Sequence, residues 1–277
     1  MGKITLVALP YDSGRFDERM GRGPLHLLES GLAEDLRAQH DVEVVTIRLA
    51  EGFQAEGAAL PALQKLAAGA VRESLARDRG PIILSGNCGP AALSATCALG
   101  SKTIGVIWFD AHADFNTPET SASGFLDGMS LSILTGHCWP ALAERFDGFE
   151  PVPEKNVLLI GARDLDSREA ARLGESAITH ILPTRMDQLE RAVAELSERV
   201  ANFYIHVDVD VLDESEGRAN SYACGGGLSA PQLYAALEFL QRSGRMKVAG
   251  ITAYDPGCDS EGHVRAVIAN AARILAG

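Results

Sequence analysis

The chain has 277 residues, 46% of them hydrophobic, and carries 25 Lys plus Arg against 37 Asp plus Glu, a net charge of −12. That balance repels polyanions and excludes nucleic acid or an anionic membrane surface as the main partner. No stretch approaches the ~20 apolar residues of a membrane span, the start lacks a signal-peptide pattern, and five cysteines without C-x-x-C spacing indicate neither a disulfide framework nor a structural zinc site. A cytoplasmic protein is the expectation.

Taken in order, Ile4 to Leu9 is a short apolar run that reads as a buried strand, and a Gly/Arg-rich loop through Gly23 and Pro24 leads into a helical pattern from Leu25. Val42 to Ile47 reads as the next strand. Leu60, Leu63, Ala67, Val71 and Leu75 recur at three- and four-residue steps, one apolar stripe of a helix. Ile82 to Leu84 is a strand ending at Ser85-Gly86-Asn87-Cys88, and the Ala-rich segment to Leu99 is its helix. Ile104 to Phe109 is nearly all apolar, as a central strand covered on both faces requires. Val157 to Ile160, Ile178 to Leu182, Tyr204 to Val209 and Lys247 to Ile251 supply further strands. Between them run helical stripes at Leu189, Val193, Leu196 and Val200, then at Leu233, Leu237 and Leu240. Strands alternating with helices predict an α/β fold with a mainly parallel sheet wrapped on both sides. No repeat, low-complexity segment or linker interrupts the pattern, so residues 1–277 read as one domain.

Ligands of such sheets bind beyond the carboxyl ends of the strands. Polar clusters sit there: Ser85 to Gly89, Asp110 to Asn116, Arg163 to Asp166, Asp208 to Asp213 and Tyr254 to Asp259. Asp110, His112 and Asp114 alternate along Trp108 to Asn116, and extended backbone would send all three to one face. Asp208 and Asp210 repeat the spacing, with His206 two residues earlier. Carboxylates crowded in this way need a compensating charge, and a hard divalent cation is the simplest one. Four Asp and one His suffice for one or two ions.

The segment Trp-Phe-Asp-Ala-His-Ala-Asp-Phe-Asn-Thr-Pro-Glu-Thr, the later Ser123-Gly124-Phe125-Leu126-Asp127-Gly128-Met129 and Asp208-Val209-Asp210 resemble the ureohydrolase family of arginase, agmatinase and formiminoglutamase. The likeness runs from Gly23-Pro24 almost to the C-terminus. It implies a three-layer α/β/α fold with an eight-stranded sheet, and a two-manganese site at which activated water hydrolyses amidine-like C–N bonds. Carried over, Asp110 and Asp208 bridge the ions, Asp114 binds the first and also orients the attacking water, and His112 with Asp210 binds the second. Asn116 and Ser123 match positions that hold a substrate carboxylate, and Asp166 one near its amino group, which favours an amino-acid-like small molecule. The family often forms homo-oligomers.

Three departures qualify the likeness. Cys88 stands where the family has a histidine for the first metal. A buried cysteine is ordinarily a small hydrophobe, but as a ligand it biases that site toward zinc or iron. Asp127 replaces a histidine thought to shuttle protons, a role open to it if burial raises its pKa, and Phe125 replaces an asparagine. Ala253 replaces the Glu that grips a guanidinium, which weakens the expectation of arginine or agmatine as substrate; Tyr254 or Asp255 lines the pocket or simply makes a turn. The leading expectation is therefore a metal-dependent hydrolase of a linear amidine or modified guanidine. Two other readings stand beside it: a metal-poor homologue that binds or regulates, and a deacetylase-like amide hydrolase in which Tyr254 lies near the metal.

Overall fold

The computed structural model describes residues 1–50 and 55–277. Eight strands form one sheet: β1 Gly2–Leu9, β2 His40–Thr46, β3 Gly80–Ser85, β4 Ile104–Phe109, β5 Val157–Ile160, β6 Thr179–Ile181, β7 Asn202–Asp208 and β8 Met246–Thr252. Their spatial order is β2-β1-β3-β8-β7-β4-β5-β6, and every neighbouring pair is parallel. The sheet is thus wholly parallel where the sequence pointed to a mainly parallel one.

Ten helices are described: α1 Gly23–Glu29, α2 Leu32–Arg37, α3 Glu56–Ala76, α4 Cys88–Leu99, α5 Ser130–Leu134, α6 Pro140–Ala143, α7 Ser167–Glu175, α8 Leu189–Ser197, α9 Ala230–Arg242 and α10 His263–Ala276. Alternation along the strands divides the core between the two faces of the sheet. Leu6, Leu84, Phe109, Ile160, Val207 and Ile251 pack with α1, α2, α8, α9 and α10. Val7, Ile83, Trp108, Leu159, Tyr204 and Val248 pack with α3 to α7. The result is the α/β/α sandwich expected of the sequence. None of the described helices is long and apolar enough to cross a membrane.

The carboxyl ends of β3, β4, β7 and β8, adjacent in the sheet, carry the polar clusters to one rim. Just after β3, Gly86 passes so close to the loop behind β1 that a Cβ there would lie 2.3 Å from the Tyr11 carbonyl oxygen and 2.7 Å from Gly21 Cα. Glycine is what lets the chain turn into α4 and deliver Cys88 to the rim.

Candidate metal centre

Strand β4 stops at Phe109, and tight hydrogen bonding gathers the groups that follow. Asp110 Oδ1 accepts the backbone N–H of His112 at 2.7 Å, and Asp110 Oδ2 accepts the indole N–H of Trp108 at 2.9 Å. Asp114 adopts φ +49°, a left-handed conformation that turns the chain inward. At the end of β7 the backbone enters a 3-10 turn over Val209–Val211, in which Asp208 Oδ1 accepts the N–H of Asp210 at 2.9 Å. The alternating carboxylates therefore converge through turns and not along the extended pleat that their spacing predicts. Ala111 N–H in turn donates to Asp210 Oδ1 at 3.2 Å, linking the β4 and β7 loops.

Two groups of ligand-type atoms result, each with all its atoms within 4.8 Å of one another: Cys88, Asp110 and Asp208, and Asp110, His112 and Asp210. Asp110 belongs to both. Asp114 lies outside these groups but lines the same pocket. All but the half-buried His112 are buried. Burial first, and repulsion by Asp210 second, push the Asp110 carboxyl up to about 6. Burial and neighbouring carboxylates drive Asp114 and Asp208 well above the usual range. Burial opposes charge on His112, but Asp110 and Asp210 outweigh it and raise the imidazole to about 9. His112 is the only residue in the two groups that can carry positive charge, so ionising these carboxyls together calls for cations. The donors suit divalent metals: oxygen and imidazole in the second group, with a sulfur in the first that favours a softer ion.

Cys88 opens α4. Its thiol donates to Asp208 Oδ2 at 3.1 Å, and burial together with Asp208 pushes its pKa well up. Asp127 holds this helix start: Oδ2 accepts from Asn87 Nδ2 at 2.9 Å and Cys88 N at 3.0 Å, while Oδ1 accepts from Gly89 N and Ser130 Oγ, both at 2.9 Å. Each oxygen thus takes one of the N–H groups that open α4 and one side-chain donor. Burial still raises the Asp127 pKa, as the proton-relay expectation required, but against these four bonds. His206 is buried, stacked on Trp108 with ring centroids 3.8 Å apart, and burial lowers its pKa to about 3.

Above the two groups opens a pocket of about 340 Å3. Asn116, Ser123 and Asp166 line it, as do Phe125, Tyr222, Asn220 and Ala253. Asn116 Nδ2 donates to Asp166 Oδ2 at 3.3 Å, and the exposed Ser123 Oγ accepts the N–H of Phe125 at 3.1 Å. Phe125 and Tyr222 stack at 5.7 Å and form an aromatic wall. Ala253, with φ +64°, contributes only a methyl group to the pocket lining. Tyr254 is not among the residues lining the pocket and donates to Asp259 Oδ2 at 3.0 Å, while Asp255 Oδ1 accepts from Gly257 N at 2.8 Å in a local turn. The arrangement that a deacetylase-like site needs from Tyr254 is not the one adopted.

The model of the arginase family matches residues 2–276. The chain belongs to the arginase family. It is 31% identical to an arginase of Bacillus caldovelox over 96% of this chain and 95% of that protein. An arginase of Staphylococcus aureus is 29% identical over 94% and 92% of the two chains. The native structure of the Bacillus caldovelox arginase superposes with a TM-score of 0.88 at 28% identity, covering 100% and 99%. Membership places the chain among hydrolases acting on C–N bonds in linear amidines.

Four residues of this arginase-family site have roles that their own residue type does not reveal in a single sequence. Trp108 reads as core and is core, yet its N–H also fixes Asp110. Glu169, buried on α7, accepts the N–H of Phe115 at 2.8 Å and that of Asp166 at 3.3 Å, tying the β4 loop to the pocket rim. Asn220 Nδ2 bridges Asp210 Oδ2 at 3.2 Å and the Ala253 carbonyl at 2.8 Å. Arg163 donates to the carbonyls of Asp210, Leu212 and Cys224 through Nη2, holding the loop after β7. Most of these partners are distant in sequence; the local exceptions are Trp108, two residues from Asp110, and Glu169, whose capping box with Asp166 spans three residues.

Proposed function

We propose that this protein hydrolyses a C–N bond of a linear amidine or modified guanidine in an amino-acid-like small molecule, with residues 1–277 acting as one catalytic unit. The observation that carries the reading is the pair of ligand groups sharing Asp110 at the base of the pocket. Asp110, Asp114, Asp208 and Cys88 would hold one divalent ion, and Asp110, Asp208, His112 and Asp210 a second. Manganese is the family's expected metal, and Cys88 opens the first position to zinc or iron. Such ions supply Lewis acidity and lower the pKa of attacking water.

The chain's own residues do the rest. Asp114, which lines the pocket, would orient the attacking water through its carboxylate. Asn116, Ser123 and Asp166 receive the amino-acid end of the substrate. Asp127, with both oxygens engaged, is read as the residue that positions Cys88, in place of the proton relay expected from sequence. Ala253 offers no carboxylate to a guanidinium, which supports an N-hydroxylated guanidine or a formimino group over arginine itself.

The test is turnover by protein loaded with manganese, zinc, cobalt or iron on such a panel. Release of urea, hydroxyurea or formamide is expected from at least one compound, and silence on every compound under all four metals would falsify the assignment.

A further inference from the structure

Asp208 is not the sole partner of the Cys88 sulfur. On its other side Thr252 Oγ1 lies 3.3 Å from Sγ. That hydroxyl is 3.2 Å from His206 Nε2, and His206 Nδ1 is 2.8 Å from the Tyr204 hydroxyl. Tyr204, His206, Thr252 and Cys88 are all buried. The chain of contacts crosses from β7 to β8, where Thr252 pairs with Asp208 and Gly250 with His206. Stacking against Trp108, with an interplanar angle of 20°, fixes the plane of the His206 ring and hence the direction of both nitrogens.

A cysteine serving only as a small core hydrophobe requires no such donor chain, and three polar side chains buried on its behalf are costly unless fully paired. The proton inventory gives the chain a direction. His206 Nδ1 is the hydrogen-bond partner of the Tyr204 hydroxyl among the described residues, so the phenol donates to it. The ring proton then resides on Nε2 and is donated to Thr252 Oγ1. The Thr252 proton is left for Cys88 Sγ at 3.3 Å or the Val207 carbonyl at 3.4 Å, and the larger radius of sulfur makes the first the closer fit. We propose that Tyr204, His206 and Thr252 are positioning residues that hold the Cys88 sulfur as a metal ligand, donating to one of its lone pairs so that the others face Asp110 and Asp208. This rests on the reading of Cys88 as a ligand. Outer partners of this kind orient a ligand and tune the metal it binds.

Cobalt(II) added to the metal-free full chain is the probe. Wild type is expected to show a near-ultraviolet sulfur-to-cobalt charge-transfer band that is absent from Cys88→Ser. Thr252→Val removes the hydroxyl with little change of shape; it is expected to move the band to lower energy and to weaken cobalt binding on the order of 10- to 100-fold, with Thr252→Ser restoring both. Tyr204→Phe is expected to shift the band in the same direction by less, and it carries the test if Thr252→Val does not fold. No band in wild type overturns both the reading of Cys88 as a ligand and the proposal. A wild-type band left unchanged by Thr252→Val, or by Tyr204→Phe in its place, overturns the proposal alone.

Discussion

The indole N–H of Trp108 donates to Oδ2 of Asp110 at 2.9 Å, so the carboxylate common to both ligand groups is held from within the sheet. The core therefore dictates which lone pairs of Asp110 face the pocket. Trp108→Phe keeps most of the apolar volume and deletes this donor. It is expected to weaken metal binding by about 10-fold or more and to lower stability by about 1–3 kcal/mol. Calorimetric metal titration and thermal melting separate the two effects.

Metal removal should make stability fall with pH. The folded-state pKa values of Asp114 and Asp208 are raised by burial and by their neighbours. The contribution of these two groups is fully present below the unfolded carboxyl pKa, and as pH rises toward the raised values the unfolded state ionises first and gains. Melting of chelator-treated protein is expected at lower temperature at pH 8 than at pH 5. Saturating manganese reverses the trend, adding about 2.7 kcal/mol at a hundredfold excess over Kd. A pH-independent melt after chelation would count against this account of the cluster.

How much of this was legible beforehand depends on where each partner lies in the sequence. The central strands were readable because strands buried on both faces run apolar without interruption, as Ile104–Phe109 does, while the partly exposed edge strands β2 and β6 rested on shorter apolar runs. The order of the strands was not readable, since it depends on crossovers. The positions of Asp110, His112, Asp208 and Asp210 were found by spacing, but the backbone that joins them is turned: a left-handed residue at Asp114 and a 3-10 turn at Asp210. The bonds of Asp127 to Asn87 and Cys88 span 40 and 39 residues, beyond any local pattern. Helix α7 offers no apolar stripe to read, because only Glu169 and Leu173 of its residues are buried.

Asp127→Asn distinguishes a positioning residue from a proton relay. An amide offers one acceptor oxygen and directs its NH2 at donors that now meet a carboxylate. The expected loss is about 2–4 kcal/mol of stability, accompanied by weaker metal binding through displacement of Cys88. A relay role predicts instead a fall in kcat with unchanged melting and metal content.

Ala253→Glu tests the substrate side. A carboxylate at this position faces the pocket in which Ala253 now presents only a methyl group. Charge-assisted bonds of this kind contribute about 1.5–3 kcal/mol, so binding of arginine or agmatine is expected to strengthen by about 10-fold or more. Competition against turnover of the preferred substrate measures the change. Equal inhibition of both enzymes by arginine would place the specificity elsewhere.

The most direct measurement is a calorimetric manganese titration of metal-free wild type, Asp110→Asn and Asp210→Asn, with folding of each verified by circular dichroism. Because Asp110 belongs to both groups and Asp210 to one, wild type should bind two ions, Asp210→Asn one, and Asp110→Asn neither with comparable affinity. Wild-type binding retained in Asp110→Asn would contradict a metal centre built around that shared carboxylate.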